Sequence, residues 1–328
     1  MTIMDGLSTL TRAASTSDRP MMRVMGEVIT GRRFASAVAV NSQRLVAHDA
    51  SVVAIHTLCA YQFSVALFAA LHAQKDIIIL PNLQPGFIEK ITDAIDLLIT
   101  DETNCASLAV LNIEEPANDK PELIFPAIAN SASLSFFTSG STGFPERIYK
   151  TLQQIADELE VLTSVWDMKE KGGAVYTTVS YQHFYGFTFA LMWPLAVGRL
   201  IDAKQYYYPE PLVAELEKDD QAILISSPAL LNRVEQLVDL SLLAKGIECV
   251  FSAGGPLNRE AALAISTLTE SPVREIFGST ETGVVAYRSQ LEGESGHSPW
   301  SLFPMVTMQR NQENHCLRVD SPLSLIHI

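Results

Sequence analysis

Short apolar runs alternate with amphipathic stretches along the chain. Residues 60–72 are apolar on every side and predict a buried helix, whereas residues 76–81 predict a short buried strand that ends at a proline. Further strands are predicted at residues 97–100, 108–111, 134–137, 222–225, 248–251 and 273–277, and further helices at 87–94, 230–238 and 259–267. This alternation is typical of parallel sheets covered by helices. We therefore expect an α/β fold with two βαβ-layered sheets in one large domain, joined by an acidic, proline-containing loop near residues 115–120.

One helix start is marked by side-chain chemistry as well as by periodicity. Thr151 and Gln154 have the spacing of a capping box, in which each side chain binds the other residue's backbone N–H. Four leucine and isoleucine side chains then follow at helical spacing, namely Leu152, Ile155, Leu159 and Leu162. A helix is therefore predicted to begin at residue 151.

Composition narrows the class of protein. Hydrophobic residues make up 48% of the 328 residues, as in ordinary globular proteins, and a formal net charge of -14 without a dense basic run disfavours a nucleic-acid partner. The four cysteines are widely spaced and predict free thiols in a reducing cytoplasm. Neither a secretory signal nor a membrane span of about twenty apolar residues is indicated. We expect a cytoplasmic protein.

A segment of small and hydroxyl-bearing residues follows the strand predicted at 134–137. It reads Thr138, Ser139, Gly140, Ser141, Thr142 and Gly143. Free backbone N–H groups and hydroxyl donors of this kind can surround phosphate oxygens, but the same composition is also found in flexible surface loops. The spacing is neither that of a Walker A loop nor that of a dinucleotide-binding loop. The segment alone leaves phosphate binding and a flexible loop as alternatives.

The segment resembles the phosphate loop of the adenylate-forming (AMP-binding) superfamily, which includes acyl- and aryl-CoA synthetases, luciferases and adenylation domains. Three more segments match in order: residues 181–186 resemble the aromatic segment beside the acyl pocket, residues 252–257 the turn beside adenine, and residues 277–283 the aromatic-Gly-x-Thr-Glu motif. The resemblance spans residues 134–283. It implies that the chain activates a carboxylic acid with ATP, releases pyrophosphate and passes the acyl group to a thiol.

The resemblance also implies roles for individual residues. The catalytic residues would be Thr280, on the α-phosphate, Glu281, on Mg²⁺, and His183, beside the substrate carboxylate. Nucleotide would be bound by Thr138, Ser139, Gly140, Ser141, Thr142, Gly143, Ala253, Gly254, Gly255, Phe277, Gly278 and Ser279. Phe277 would stack on adenine. Tyr181, Phe184 and Phe187 either line an acyl pocket or pack in the core.

Two departures from the family pattern affect activity. The position just after Pro145, where the family usually has Lys, holds Glu146, and a carboxylate there would repel pyrophosphate. Either Arg147 or Lys150 compensates for the missing cation, or function is lost. We also find neither the Thr-Gly-Asp segment nor the carboxy-terminal lid with its lysine.

These absences predict a truncated amino-terminal domain over residues 1–322, with an incomplete β-barrel subdomain. Residues 323–328 resemble the translation of a sequencing adaptor and are expected to be a non-native tail. The first functional hypothesis is an acyl- or aryl-CoA ligase that uses ATP, Mg²⁺ and coenzyme A. The alternatives are an adenylation protein that loads the phosphopantetheine of an acyl-carrier protein, or a nucleotide-binding fragment without complete activity.

Overall fold

The structure is a computed structural model that describes residues 3–102, 108–119, 125–139, 145–166, 168, 172–233, 246–293, 296–310 and 316–324. The chain divides into two compact units, Met1–Asp157 and Glu158–Ile328. The division falls within a helix, α5 (Leu152–Val165). The described strands form a nine-stranded sheet, a six-stranded sheet and a separate two-stranded pair, which confirms the predicted α/β fold with layered sheets.

The first unit is built on a mainly parallel sheet. Its helices are α1 (Ile3–Ala14), α2 (Gly31–Val46), α3 (Ala60–His72) and α4 (Pro85–Ile88), with a 3₁₀ turn at Thr92–Ala94. Its strands are β1 (Pro20–Val24), β2 (Glu27–Thr30), β3 (Val52–His56), β4 (Asp76–Ile79), β5 (Leu97–Thr100), β6 (Val110–Leu111), β7 (Ser133–Ser139) and β8 (Pro145–Thr151). The sheet order is β6-β5-β3-β4-β7-β8, parallel except for the β7–β8 pair.

Apolar side chains explain the first unit's central elements. The β3 and β4 strands are buried over Val53–His56 and Ile77–Ile79, as expected for strands with helices on both faces. The α3 helix, 13 residues long, is buried over most of its length, which confirms the buried helix predicted there. Among the described residues, no helix combines the length and hydropathy needed to cross a membrane.

The sequence-based boundary between the two sheets is wrong. The loop near residues 115–120 does not separate them, because β7 follows that loop and still pairs in parallel with β4. The strand β8, which the sequence did not predict, then adds to the same sheet. The capping box at Thr151 is confirmed: its backbone N–H donates to Gln154 Oε1 at 3.0 Å, and the Gln154 N–H donates to Thr151 Oγ1 at 3.1 Å.

The second unit carries a longer mixed sheet. Its strands are β9 (Val175–Thr177), β10 (Ile201–Gln205), β11 (Ala222–Ser226), β12 (Ile247–Ser252), β13 (Val273–Ser279), β14 (Gly283–Arg288), β15 (Ser301–Leu302), β16 (Thr307–Arg310) and β17 (Leu317–Asp320). Its helices are α6 (Phe184–Gly186), a π-helix (Phe187–Met192), α7 (Trp193–Val197), α8 (Pro209–Leu216), α9 (Pro228–Leu231) and α10 (Arg259–Thr269). Among the strands of this unit, the order in the sheet is β15-β14-β13-β12-β11-β9-β10.

Strand direction in this sheet determines where its loops lie. The strands from β10 to β13 run parallel, whereas β14 and β15 are antiparallel additions. The β16 and β17 strands form a separate antiparallel pair, and the described residues form no closed barrel. Leu323, in the predicted tail, is buried, and residues 325–328 lie outside the described part. Because parallel strands end at one edge, the segments after β9, β11, β12 and β13 share that edge.

Candidate functional site

The predicted phosphate loop begins at the end of β7 in the first unit. Thr138 and Ser139 are still part of β7, where they pair with Glu146 and Pro145. Gly140, Ser141, Thr142 and Gly143 lie outside the described residues. Opposite residues of an antiparallel pair point to the same side of the sheet, so Glu146 shares a face with Thr138.

The two candidate cations occupy different environments on β8. Lys150 is 1% exposed and lies opposite Leu134, far along the hairpin from its tip. Arg147 is half-buried: its Nε donates to Ser135 Oγ at 2.8 Å, and its guanidinium lies 4.8 Å from the Tyr149 ring centroid. Within the described part of the chain, the Arg147 Nη2 atom is buried and has no hydrogen-bond partner. Arg147 is therefore the cation with donor capacity to spare close to the loop.

The glycine turn of the second unit follows β12, the neighbour of the strand that carries Phe277. Strands β12 and β13 pair in parallel up to Ser252 opposite Glu275, and each segment continues two residues further, to Gly254 and to Phe277. Gly254 has φ +85°, which glycine adopts without strain, and a Cβ added there would meet nothing within 4 Å. Phe277 is 45% exposed. An open glycine backbone and an exposed aromatic ring therefore follow the paired ends of two neighbouring strands.

The tip of the β13–β14 hairpin presents Thr280 and Glu281, both half-buried. Two side chains clamp the tip from its ends: the Ser279 N–H donates to Thr282 Oγ1 at 3.2 Å, and the Thr282 N–H donates to Ser279 Oγ at 3.2 Å. This reciprocal pair fixes the backbone on either side of Thr280 and Glu281. Gly278 is required by a close approach, since a Cβ there would lie 2.4 Å from the Gly283 carbonyl oxygen.

His183 lies in the segment that follows β9, at the same edge of the sheet. Its side chain is exposed, whereas Tyr181, Phe184 and Phe187 are buried. The segment turns sharply at Gly186, where a Cβ would come 2.2 Å from the Ser180 carbonyl oxygen. The turn leads into the π-helix, a conformation often found at functional sites.

The second unit thus brings together one group of the predicted site residues. His183, Ala253, Gly254, Gly255, Phe277, Gly278, Ser279, Thr280 and Glu281 lie at its carboxyl edge. The phosphate-loop residues and the two cations belong to the first unit. Sequence analysis assigned no role to Thr282, although the residue completes the Ser-Thr-Glu-Thr run. It also missed Trp300, whose ring centroid lies 5.9 Å from that of Phe277 as a result of strand pairing that no local motif indicates.

Known proteins with related sequences or folds are consistent with this layout. A 4-coumarate–CoA ligase from Halorhodospira halophila is 27% identical over 176 residues, covering 52% of this chain and 41% of that protein. The matched part of the chain thus spans less than half the length of that relative. The o-succinylbenzoate CoA synthetase of Bacillus subtilis superposes with a TM-score of 0.81 at 15% identity, covering 97% of this chain and 70% of that one.

A third comparison concerns a single subdomain of a known protein. The N-terminal subdomain of Klebsiella oxytoca NpsA, in complex with 3-hydroxybenzoyl-AMSN, gives a TM-score of 0.77 at 18% identity and covers 96% of this chain and 87% of that chain. The family model of AMP-binding enzymes matches residues 10–309. This match extends over most of the chain and includes every segment of the candidate site. The chain belongs to the family of AMP-binding enzymes.

Proposed function

We propose that this chain binds ATP and a carboxylic acid and forms an acyl-adenylate. A carboxylate oxygen attacks the α-phosphorus, the bond to the bridging oxygen breaks, and pyrophosphate leaves. The observation that carries the proposal is the β12–β13 pairing, which brings the open backbone of Gly254 and the exposed ring of Phe277 to the same edge of the sheet, each two residues past the last paired residues of the two strands. A planar base between a ring and a bare glycine backbone would be held on both faces.

The hairpin tip supplies the groups that the phosphates need. Thr280 would donate its hydroxyl to the α-phosphate, and Glu281 would bind Mg²⁺. Among the described residues, there is no cluster of three or more His, Cys, Asp or Glu side chains that could hold a metal. A single carboxylate at a clamped turn nevertheless fits Mg²⁺, which is commonly held by one or two carboxylates together with substrate phosphates. Bound Mg²⁺ would neutralise phosphate charge.

Arg147 is the cation that we assign to the pyrophosphate. It has a buried nitrogen without a partner among the described residues, and it precedes Lys150 along the strand that leaves the loop. Glu146 shares its face with Thr138, so its charge opposes phosphate binding at that residue. We expect Arg147→Ala to weaken ATP binding by about tenfold, as for loss of one charge-assisted hydrogen bond. Glu146→Lys should strengthen it, and Arg19→Ala, at an exposed cation, is the control.

His183 would lie beside the substrate carboxylate, where its imidazole could orient an oxygen towards phosphorus. Transfer to coenzyme A would complete the reaction: the thiol attacks the acyl carbonyl carbon and AMP leaves. Loading of a carrier-protein phosphopantetheine is the alternative acceptor reaction, with the same first step. The sequence resemblance supports both acceptors, and supplying each thiol in turn distinguishes them.

Nucleotide binding and ATP–pyrophosphate exchange test the proposal. Calorimetry with Mg²⁺-ATP should show binding to the 328-residue chain, and Glu281→Gln should remove the Mg²⁺-dependent part of the affinity. Glu270→Gln, at an exposed acid in the same unit, is the matched control. Exchange is measured with benzoates, cinnamates and fatty acids, on this chain and on any longer product of its gene. Absence of Mg²⁺-dependent ATP binding in the wild type would refute the proposal.

A further inference from the structure

Trp300 lies next to Phe277 on the surface of the second unit. It is 40% exposed, and the two ring centroids are 5.9 Å apart with planes inclined by 54°. Two neighbouring aromatic rings in the same unit are therefore open to solvent. Clustered exposed apolar surface is one of the features of ligand-binding grooves.

A row of cross-strand contacts holds Trp300 in this position. The β13–β14 pairing sets Glu275 opposite Arg288, and the β14–β15 pairing of Tyr287 with Ser301 brings Trp300 level with Arg288. Arg288 then lies over the Trp300 ring, 4.4 Å from its centroid. The row of contacts thus runs from Glu275, inside the sheet, through Arg288 to the exposed indole of Trp300.

The inner end of the row is a buried ion pair. Arg288 donates to both carboxylate oxygens of Glu275, at 3.0 and 2.9 Å, and the two side chains are 9% and 4% exposed. Gln290 also donates to Glu275, and its own Oε1 accepts the Ser298 N–H at 3.1 Å. A buried pair with both partners hydrogen-bonded fixes geometry more than it adds stability. The segment that leads into Trp300 is thereby tied to the strand that carries Phe277.

The space next to the two rings suits a planar heterocycle. Ala286 pairs with Phe277 on the neighbouring strand, so no large side chain fills that position. The glycine turn lies on the other side, and the hairpin tip with Thr280 and Glu281 begins three residues after Phe277. A base stacked on Phe277 would meet Trp300 along one edge, because the two ring planes are inclined.

We propose that Trp300 is a second base-contacting residue, which forms with Phe277 a two-ring subsite for the purine of a nucleoside triphosphate. This inference rests on the proposed function, since it assumes that ATP is the ligand. The subsite takes its specificity from ring contacts, and the phosphates are bound elsewhere. Affinity for the base and affinity for the phosphate chain can therefore be separated.

Titration of the 328-residue chain with ATP and with inorganic tripolyphosphate tests this separation. Trp300→Ala should weaken ATP binding about tenfold, in the range found for loss of one base-stacking aromatic side chain, and should leave tripolyphosphate binding unchanged. Leu317→Ala is the control, because Leu317 is 53% exposed on β17, a strand of the separate pair in the same unit. Trp300→Phe, which keeps a ring, should retain most of the ATP affinity.

Tryptophan fluorescence gives a readout that does not depend on the alanine variant folding. ATP, but not tripolyphosphate, should quench emission of the wild type, and Trp300→Phe should abolish this base-dependent quench while still binding ATP. Equal ATP affinity in the wild type and Trp300→Ala, or a quench that persists in Trp300→Phe, would overturn the inference and leave the proposed function intact. No ATP binding in the wild type would overturn both.

Discussion

Gly278→Ala is the substitution whose effect follows most directly from the geometry of the site. The added methyl group would lie 2.4 Å from the Gly283 carbonyl oxygen and 3.1 Å from Val284 Cα. Side-chain Cβ atoms essentially never approach another heavy atom closer than 3.0 Å. The two strands must therefore move apart by about 0.6 Å at the base of the hairpin tip, because the added methyl group overpacks a contact that is already close.

The opposite strand has little room to retreat. A Cβ on Gly283 would lie 2.9 Å from Glu158 Oε2 and 3.1 Å from Leu323 Cβ, so that residue is already enclosed. Its φ of +69° also restricts how the backbone can adjust. We expect the substitution to cost about 1–3 kcal/mol, the range for overpacked sites. For a unit of this size, each kcal/mol lowers the Tm by about 2–4 °C.

The same displacement would impair the site. Groups that bind ligands need to be held within about 0.5 Å of their productive positions, and the strand shift exceeds that tolerance at Thr280 and Glu281. We expect affinity for Mg²⁺-ATP to fall at least tenfold in Gly278→Ala. Calorimetric titration measures the affinity, and thermal unfolding followed by circular dichroism measures the Tm.

Gly296→Ala provides the matched control. A Cβ at Gly296 would meet nothing within 4 Å, and the residue lies in the same unit. Both its Tm and its ATP affinity should equal those of the wild type. If Gly278→Ala behaved like Gly296→Ala in both measurements, the close approach of Gly278 to Gly283 would not constrain the hairpin, and our account of the tip would be refuted.

Three further predictions concern buried groups. Burial lowers the pKa of His72 to about 4 from 6.5, so the free energy of unfolding should fall as the pH drops from 6.5 towards 4, by less than about 1.4 kcal/mol per pH unit. His72→Gln should flatten this pH dependence in urea titrations. An unchanged slope would contradict the assignment to His72. Burial raises the pKa of the Cys249 thiol to about 12. A disulfide reagent should therefore modify the exposed Cys316 in the native state and Cys249 only on unfolding, as peptide mapping would show. Glu275→Ala leaves the Arg288 side chain buried without its carboxylate partner and should destabilise the protein by about 3–5 kcal/mol in chemical denaturation. A loss under about 1 kcal/mol would mean that the Arg288 side chain moves out into water.

Sequence patterns predicted the elements whose burial is uniform. The strand at residues 76–79 and the helix at 60–72 are apolar throughout, and both form as expected. The pattern failed where an element is polar or short. The β8 strand reads Pro-Glu-Arg-Ile-Tyr-Lys-Thr, whose charges are tolerated because it pairs on one side only, at the edge of the sheet. The helix predicted at 230–238 is described only as Pro228–Leu231, and residues 234–245 lie outside the described part.

The candidate site was predicted as a set of motifs, and the structure adds the contacts between them. The motif located Ser279 and Thr280, but only the structure shows that the Ser279 hydroxyl is 3.1 Å from the Thr282 hydroxyl across the turn. Periodicity cannot reveal such a clamp, because both residues are equally typical of phosphate-binding and of turn-forming segments. Trp300 was not among the site residues predicted from the sequence. Its contact with Phe277 depends on two successive antiparallel pairings, which a local pattern does not specify.

Charge placement along β8 indicates how the chain accommodates an acid beside a predicted phosphate loop. Adjacent residues of a strand point to opposite faces, so Glu146 and Arg147 cannot both lie on one side of the hairpin. Glu146 takes the side of Thr138, whereas Arg147 takes that of Ser135 and Phe137. Phosphate oxygens near Thr138 would therefore face a carboxylate, and their attraction would have to come from backbone N–H groups. Because we assign Arg147 to the pyrophosphate, Arg147→Ala should lower ATP affinity more than Glu146→Lys raises it, and the opposite order would place the phosphates on the Glu146 side.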